Sequence, residues 1–334
     1  LKKDKSLRIL YYTIDRSQRV ADLFEPIRRA IGQIAEVTTT TRTLDKTAGI
    51  VCQETTLKGR KLRPMVNPDI ANEYDVVICD AMYAFLNERW EKVTVPKAVY
   101  WGDCHGKMVA HYIGRAYYDF DFSIFMPNYH TAASEHLPYI FDREVIWTPW
   151  AFDPEVFRDY HDIKRFPLLV TGVINTSVYP VRSRVHAACS GRSWCSVIRR
   201  PHENDLGDRW PCGADYASLL SSARIAVACS SIHRYLVSKY FEIPASGAML
   251  LADAPQELAD LGFERNIHYV EPPPKAGPFL ADWVEELLRD SWVETVAENG
   301  HHLAHERHTI HHRAREVVDN LRRITVSLSS RGSS

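Results

Sequence analysis

Lys239, Tyr240 and Glu242 stand on a short helical stretch that follows a buried apolar run, Ile225 to Cys229. Pro244 and Gly247 close the stretch, because proline brings no N–H and glycine accepts a positive φ. The first N–H groups of a helix are unpaired and partly positive, so they suit a phosphate, and a lysine beside them adds a full charge. A glutamate one turn on accepts hydrogen bonds from both hydroxyls of a ribose. The plain alternative is a solvated Lys–Glu pair, which contributes little. Earlier in the chain, Gly172 permits close backbone approach, and Arg182 in Tyr-Pro-Val-Arg carries the planar fork that grips two phosphate oxygens. A solvent-facing arginine is the alternative there. A third candidate is Gly102-Asp103-Cys104-His105-Gly106, directly after the buried strand Ala98 to Trp101. Parallel sheets bind ligands at such strand ends. Asp103 and His105 could therefore meet a sugar hydroxyl, a phosphate or an acceptor, or serve only as hydrogen-bonded loop residues.

Other residues of chemical interest exclude more than they suggest. His301, His302, His305, His308, His311 and His312 crowd one region near the C-terminus. Residues three or four apart share a helix face, yet one face supplies too few convergent ligands for a tetrahedral zinc site. A structural role is expected for these histidines. Asp119-Phe-Asp121 has the spacing of a metal-binding Asp-x-Asp motif but falls at the start of a strand, so no metal and no cofactor is expected. The first strand-to-helix turn holds Asp15, Arg16 and Ser17 instead of GxGxxG, which argues against a dinucleotide-dependent dehydrogenase.

Composition sets wider bounds. The chain has 334 residues, enough for two domains, with a formal net charge of −1. That balance argues against wholesale binding of nucleic acid or an anionic membrane. No apolar run reaches the roughly 20 residues of a membrane span. The opening LKKDKSLRILYY reads as a first strand rather than a signal peptide. Seven cysteines include no Cys-x-x-Cys pair, which fits reduced thiols in a cytoplasmic protein.

The elements that must position these residues alternate strand and helix. Strands are expected at Leu7 to Thr13, Tyr74 to Asp80, Ala98 to Trp101, Phe120 to Met126, Val145 to Trp150, Phe166 to Val173, Trp194 to Arg199, Ala248 to Ala252 and Ile267 to Val270. Helices are expected over Ser17 to Ile34, 82 to 91, Pro255 to Leu261 and from Phe279 onward, with Pro26 marking a kink or a fresh start. Residues 36 to 73 read mainly as a solvated loop, with an acceptor-binding loop as the alternative, and β-branching at Val37 to Thr41 allows a strand there. Short crossovers between buried strands imply parallel sheets.

Lys-Tyr-Phe-Glu-Ile-Pro-Ala-Ser-Gly followed by an apolar strand resembles the donor-binding segment of GT-B glycosyltransferases. It is most similar to the spore-maturation-protein type, near glycosyltransferase family 4. The likeness runs from about Val76 to Leu321; it is strong over 223 to 271 and around His308 to Arg315, and weak over 36 to 73. It implies an α/β fold of two Rossmann-like domains with parallel sheets facing a central cleft, and a C-terminal helix returning to the first domain. The implied divisions are an acceptor-side domain over 1–155, a donor domain over 156–305, a returning helix over 306–326 and a disordered tail over 327–334.

The resemblance also implies a function. It points to a hexosyltransferase-type enzyme moving a sugar from a nucleotide sugar, UDP-linked by preference, to an unidentified acceptor, with retention of configuration and without metal. The donor set it implies is Gly172, Arg182, Tyr216, Lys239, Tyr240 and Glu242, with His105 and Asp103 as catalytic candidates near the sugar. The family's Glu-x7-Glu motif is matched at Glu242, five residues before Gly247, but its first glutamate falls on Arg234. Two other functions remain open: a sugar-nucleotide epimerase on the same fold, and a non-catalytic nucleotide-sugar-binding protein.

Overall fold

The computed structural model describes residues 6–15, 24–45, 49–51, 55–57, 60–62, 66–79, 88–160, 163–199, 211–275 and 277–331. It divides into two compact units, Leu1–Pro149 with His311–Ser334, and Trp150–Ile310.

Unit 1 is built on a seven-stranded sheet in the order β3-β2-β1-β6-β7-β8-β9. Its strands are β1 (Arg8–Asp15), β2 (Glu36–Asp45), β3 (Gly49–Val51), β6 (Val76–Cys79), β7 (Lys97–Trp101), β8 (Ile124–Pro127) and β9 (Glu144–Val145). All pair in parallel except β2 with β3. Every residue of β6, β7 and β8 is buried, as expected of strands covered on both faces. A separate antiparallel pair, β4 (Thr55–Leu57) and β5 (Arg60–Leu62), completes the strands of this unit.

Several expectations change here. The stretch 36 to 73, read mainly as a loop, carries four strands, and the strand allowed for at Val37 to Thr41 lies within β2. The Thr-rich β2 pairs in register with all of β1, from Arg8↔Glu36 to Asp15↔Thr43. Its sequence signal was weak because it lacks an apolar run. The first helix is short, Glu25–Ile31, with Pro26 in its first turn, so Pro26 marks a fresh start. Residues 16–23 and 80–87, where helices were also expected, lie outside the described residues. β8 begins at Ile124 rather than Phe120 because Asp121 takes a positive φ of 49°. β9 is an edge strand of two residues, although Ile146 and Thr148 N–H groups still donate to Phe125 O and Pro127 O at 2.9 Å.

Unit 2 holds a four-stranded parallel sheet, order β11-β10-β12-β13: β10 (Phe166–Gly172), β11 (Cys195–Arg199), β12 (Ala223–Val227) and β13 (Met249–Leu251). Sequence order reverses between β10 and β12, which makes their carboxyl ends the switch point where open α/β sheets bind ligands. Leu168, Val170, Ile225, Val227, Met249 and Leu251 face helices carrying Val185, Val284, Val293 and Val296 in one buried cluster. Val270 makes only an isolated bridge to Leu251, not the third strand expected at Ile267.

The last helix, Ile310–Arg331, belongs from His311 onward with unit 1. It starts after a break at His308, where the preceding helix Trp292–Arg307 ends, and not at 306. It runs on through Arg331, so Ser327–Arg331 are helical and not a disordered tail. Val317, Leu321 and Ile324 are buried at helical spacing, and Leu328 continues that spacing, lining a cavity with Thr94, Pro96 and Lys97. No described helix is long and apolar enough to cross a membrane.

Candidate functional site

At the end of β10 the chain turns through Gly172 at φ 107°, a conformation that costs a side chain but not glycine. Two cations converge there. A Cβ on Gly172 would stand 2.9 Å from Lys239 Nζ and 3.2 Å from Arg182 Nη1. Lys239 opens the helix Lys239–Ala245, and its ammonium donates to Thr171 O at 2.8 Å and to Thr171 Oγ1 at 2.9 Å. Tyr216, from the helix Gly213–Ser221, shares a hydrogen bond of 3.2 Å between its hydroxyl and Thr171 Oγ1. Its ring lies 5.9 Å from the Lys239 ammonium.

Arg182 lies in the first turn of the helix Pro180–Cys189 and is 4% exposed. Its guanidinium lies 4.5 Å from the centre of the Tyr179 ring, and Nη1 donates to Val173 O at 3.1 Å. Its Nε is buried without a hydrogen-bond partner among the described residues. Buried donors left unsatisfied are uncommon and costly. An arginine and a lysine thus flank the glycine at the switch point, where Gly172 leaves open the space a Cβ would fill.

Three residues after Lys239, on the same helix face, stands Glu242. Its side chain is half-buried. Desolvation pushes its pKa up to about 7, opposed by a hydrogen bond from Ser238 and the charge of Lys239. Tyr240 points elsewhere: it is fully buried, and its hydroxyl donates to Asp253 Oδ1 at 2.8 Å. Burial beside that carboxylate raises the Tyr240 pKa. Asp253 also accepts from Ser230 N–H at 3.0 Å and from the Ser230 hydroxyl.

His105 and Asp103 belong to unit 1, in the loop after β7. His105 is half-buried and Asp103 exposed. Gly106, at φ 101°, turns this loop into the helix Lys107–Gly114. The Asp-x-Asp pair is engaged by arginines: Asp119 by Arg115 at 3.0 Å and Asp121 by Arg143 at 3.0 Å. Among the described residues no group of His, Cys, Asp or Glu is arranged to hold a metal. Three histidines instead meet backbone carbonyls: His301 at Pro244 O (3.2 Å), His305 at Ala245 O (3.0 Å) and His308 at Leu261 O (3.0 Å).

Residues 176–319 match the glycosyl transferase-like family. Sucrose-phosphate synthase from Thermosynechococcus elongatus superposes with a TM-score of 0.67 at 12% identity, over 96% of this chain and 100% of that one. HepE of Anabaena, solved with UDP-glucose, gives 0.61 at 14% identity over 97% and 100%. AviGT4, a glycosyltransferase involved in avilamycin A biosynthesis, gives 0.55 at 12% over 96% and 98%. The fold is GT-B. No curated protein sequence matches the chain. Within the GT-B frame, Arg182, Tyr216, Lys239, Tyr240 and Glu242 fall inside the family-matched stretch, and Gly172 lies just before it.

Thr171, Tyr179 and Asp253 escaped the sequence reading. Thr171 fixes the lysine, Tyr179 backs the arginine, and Asp253 ties two segments together. Their partners are far along the chain or only visible as stacked rings. A polar residue immediately before a strand-end glycine was the available signal for Thr171.

Proposed function

We propose that the protein transfers a sugar from a nucleotide-sugar donor, UDP-linked by preference, to an acceptor. The observation that carries this is the pair of cations, Lys239 Nζ and Arg182 Nη1, within 3.2 Å of the Cβ position that Gly172 leaves open. Breaking the anomeric C–O bond leaves positive charge on the sugar ring and negative charge on the departing diphosphate. Arg182 and Lys239 neutralise that developing charge from fixed positions, the usual largest source of catalysis. Their charge takes the part a divalent cation plays elsewhere, so the reaction proceeds without metal and with no cofactor beyond the donor.

Glu242 accepts hydrogen bonds from the donor ribose, and Tyr216 braces the lysine through Thr171. Tyr240 supports the same helix from beneath. His105 and Asp103 act on the transferred sugar and acceptor. The configuration at the anomeric carbon is retained, in a hexosyltransferase related to the spore-maturation type of family 4. The glycosyl transferase-like match over 176–319 supports the glycosyltransferase reading, as does the fold shared with HepE, which was solved with UDP-glucose.

The test is nucleoside diphosphate release from UDP-, GDP- and ADP-sugars in chelator, with and without acceptor extracts. Release of UDP that rises with extract is expected. A changed nucleotide sugar without any release would mean an epimerase. Binding without turnover in any mixture would mean a non-catalytic sugar-nucleotide-binding protein.

A further inference from the structure

We propose that Arg234 recognises a carboxylate on the sugar of the donor, so that the ligand class is a nucleotide-activated sugar acid. This rests on the donor-site assignment above.

The backbone draws attention first. Only four non-glycine residues among those described have positive φ, and two of them, Ser231 at 66° and Arg234 at 57°, share one turn. Such conformations persist where the surroundings enforce them, and they gather at functional sites. Here the enforcement is visible. Ser230 is held through N–H and hydroxyl by Asp253, the carboxylate that also holds Tyr240. Tyr235 N–H closes the turn on Ser230 O at 2.7 Å, and His233 N–H donates to Ser231 Oγ at 3.2 Å.

The turn is tied to the segment that leads into Arg182. Ile232 N–H donates to Val178 O at 2.9 Å, and the next residue, Tyr179, supports the Arg182 guanidinium. On its other side the chain runs directly to Lys239. Arg234 is exposed and makes no side-chain hydrogen bond or ion pair among the described residues. It is therefore a third cation beside a site whose diphosphate already meets two. A neutral hexose presents hydroxyls, which an acidic or amide side chain serves as well. A guanidinium gains most from a carboxylate, whose two oxygens match its fork.

Calorimetric titration of the full chain with UDP, UDP-glucose and UDP-glucuronate tests this, using wild type, Arg234→Asn and Arg234→Lys. Asparagine tolerates positive φ and so preserves the turn. One charge-assisted contact corresponds to about ten- to a hundredfold in affinity. Wild type is expected to favour UDP-glucuronate over UDP-glucose by at least about tenfold. Arg234→Asn should erase that preference and Arg234→Lys should keep part of it. Equal wild-type affinities for the two sugars overturn the proposal. So does an Arg234→Asn variant that weakens UDP and UDP-glucuronate to the same degree, because the arginine would then serve the diphosphate. If wild type binds UDP-glucose and UDP but not UDP-glucuronate, the sugar-acid assignment fails and the donor site stands. If UDP itself does not bind, the donor site fails and this assignment with it.

Discussion

At the scale of residues, Gly172 and Glu242 carry the sharpest expectations. Gly172→Ala puts a methyl group 2.9 Å from Lys239 Nζ at a φ of 107°. The lysine end can swing away, but only by leaving Thr171, and the backbone strain remains whatever the side chain does. Nucleotide affinity should fall about tenfold or more and the melting temperature should drop, since forcing alanine into positive φ costs roughly 1 kcal/mol or more. A variant with wild-type affinity would show that backbone approach at Gly172 is not needed. For Glu242, folding raises the pKa from the ordinary 4.5 to about 7. Between those values the folded state holds a proton that the unfolded chain has released. Its contribution to stability is therefore complete below about 4.5, declines as pH rises, and is gone by about 7. Glu242→Gln should flatten that decline in melting temperature. Ribose binding needs the ionised form, so wild-type nucleotide affinity should rise through pH 7, and the glutamine variant should show no such rise. Two pH profiles of affinity that run parallel would remove Glu242 from the ribose. Lys239 and Gly172 were singled out by charge and by glycine beside buried strands, and Arg182 by the family resemblance; the structure brings the three together. Tyr240 was grouped with them by adjacency, yet successive helix residues point about 100° apart, and its ring turned inward to Asp253.

At the scale of elements, the helix Trp292–Arg307 shows how the helix Lys239–Ala245 is held. Gly300 lies in its middle, where a Cβ would come 2.7 Å from His268 O. Glycine inside a helix is normally worse than alanine by about 1 kcal/mol. Here the sign should invert: Gly300→Ala should lower the melting temperature, because the obstructing atom is backbone and cannot rotate away. A stabilised variant would mean that the two segments are not in such close contact. His301 and His305, on the same helix, meet the last carbonyls of Lys239–Ala245, and His308 meets Leu261 O. These contacts give three of the six histidines a backbone partner. His308→Ala should cost about 1–3 kcal/mol by removing a buried side chain and its hydrogen bond to the part-buried Leu261 carbonyl, and added zinc should not restore the loss. Recovery of stability with stoichiometric zinc would point to a metal site instead. Elements with apolar runs, such as β7 and β13, were read to within one residue at each end. β2 was half-seen, because its threonines carry β propensity without hydrophobicity. The ending of the last helix was missed because Leu328 alone continues its apolar stripe among serines.

At the scale of the whole molecule, alternating short strands and helices announced two parallel sheets, and the GT-B match bears that out. What sequence spacing could not convey is the reversal of strand order between β10 and β12, which brings Lys239 back to a residue 68 positions earlier. That return is the physical basis of the proposed donor site. It is tested most directly by calorimetric titration of UDP, in chelator, into wild type, Lys239→Met and Arg182→Met. The account predicts that wild type binds without metal and that each variant binds about ten- to a hundredfold more weakly, the loss of one charge-assisted contact. Matching isotherms for the three proteins, or binding that appears only when magnesium or manganese is added, would contradict it.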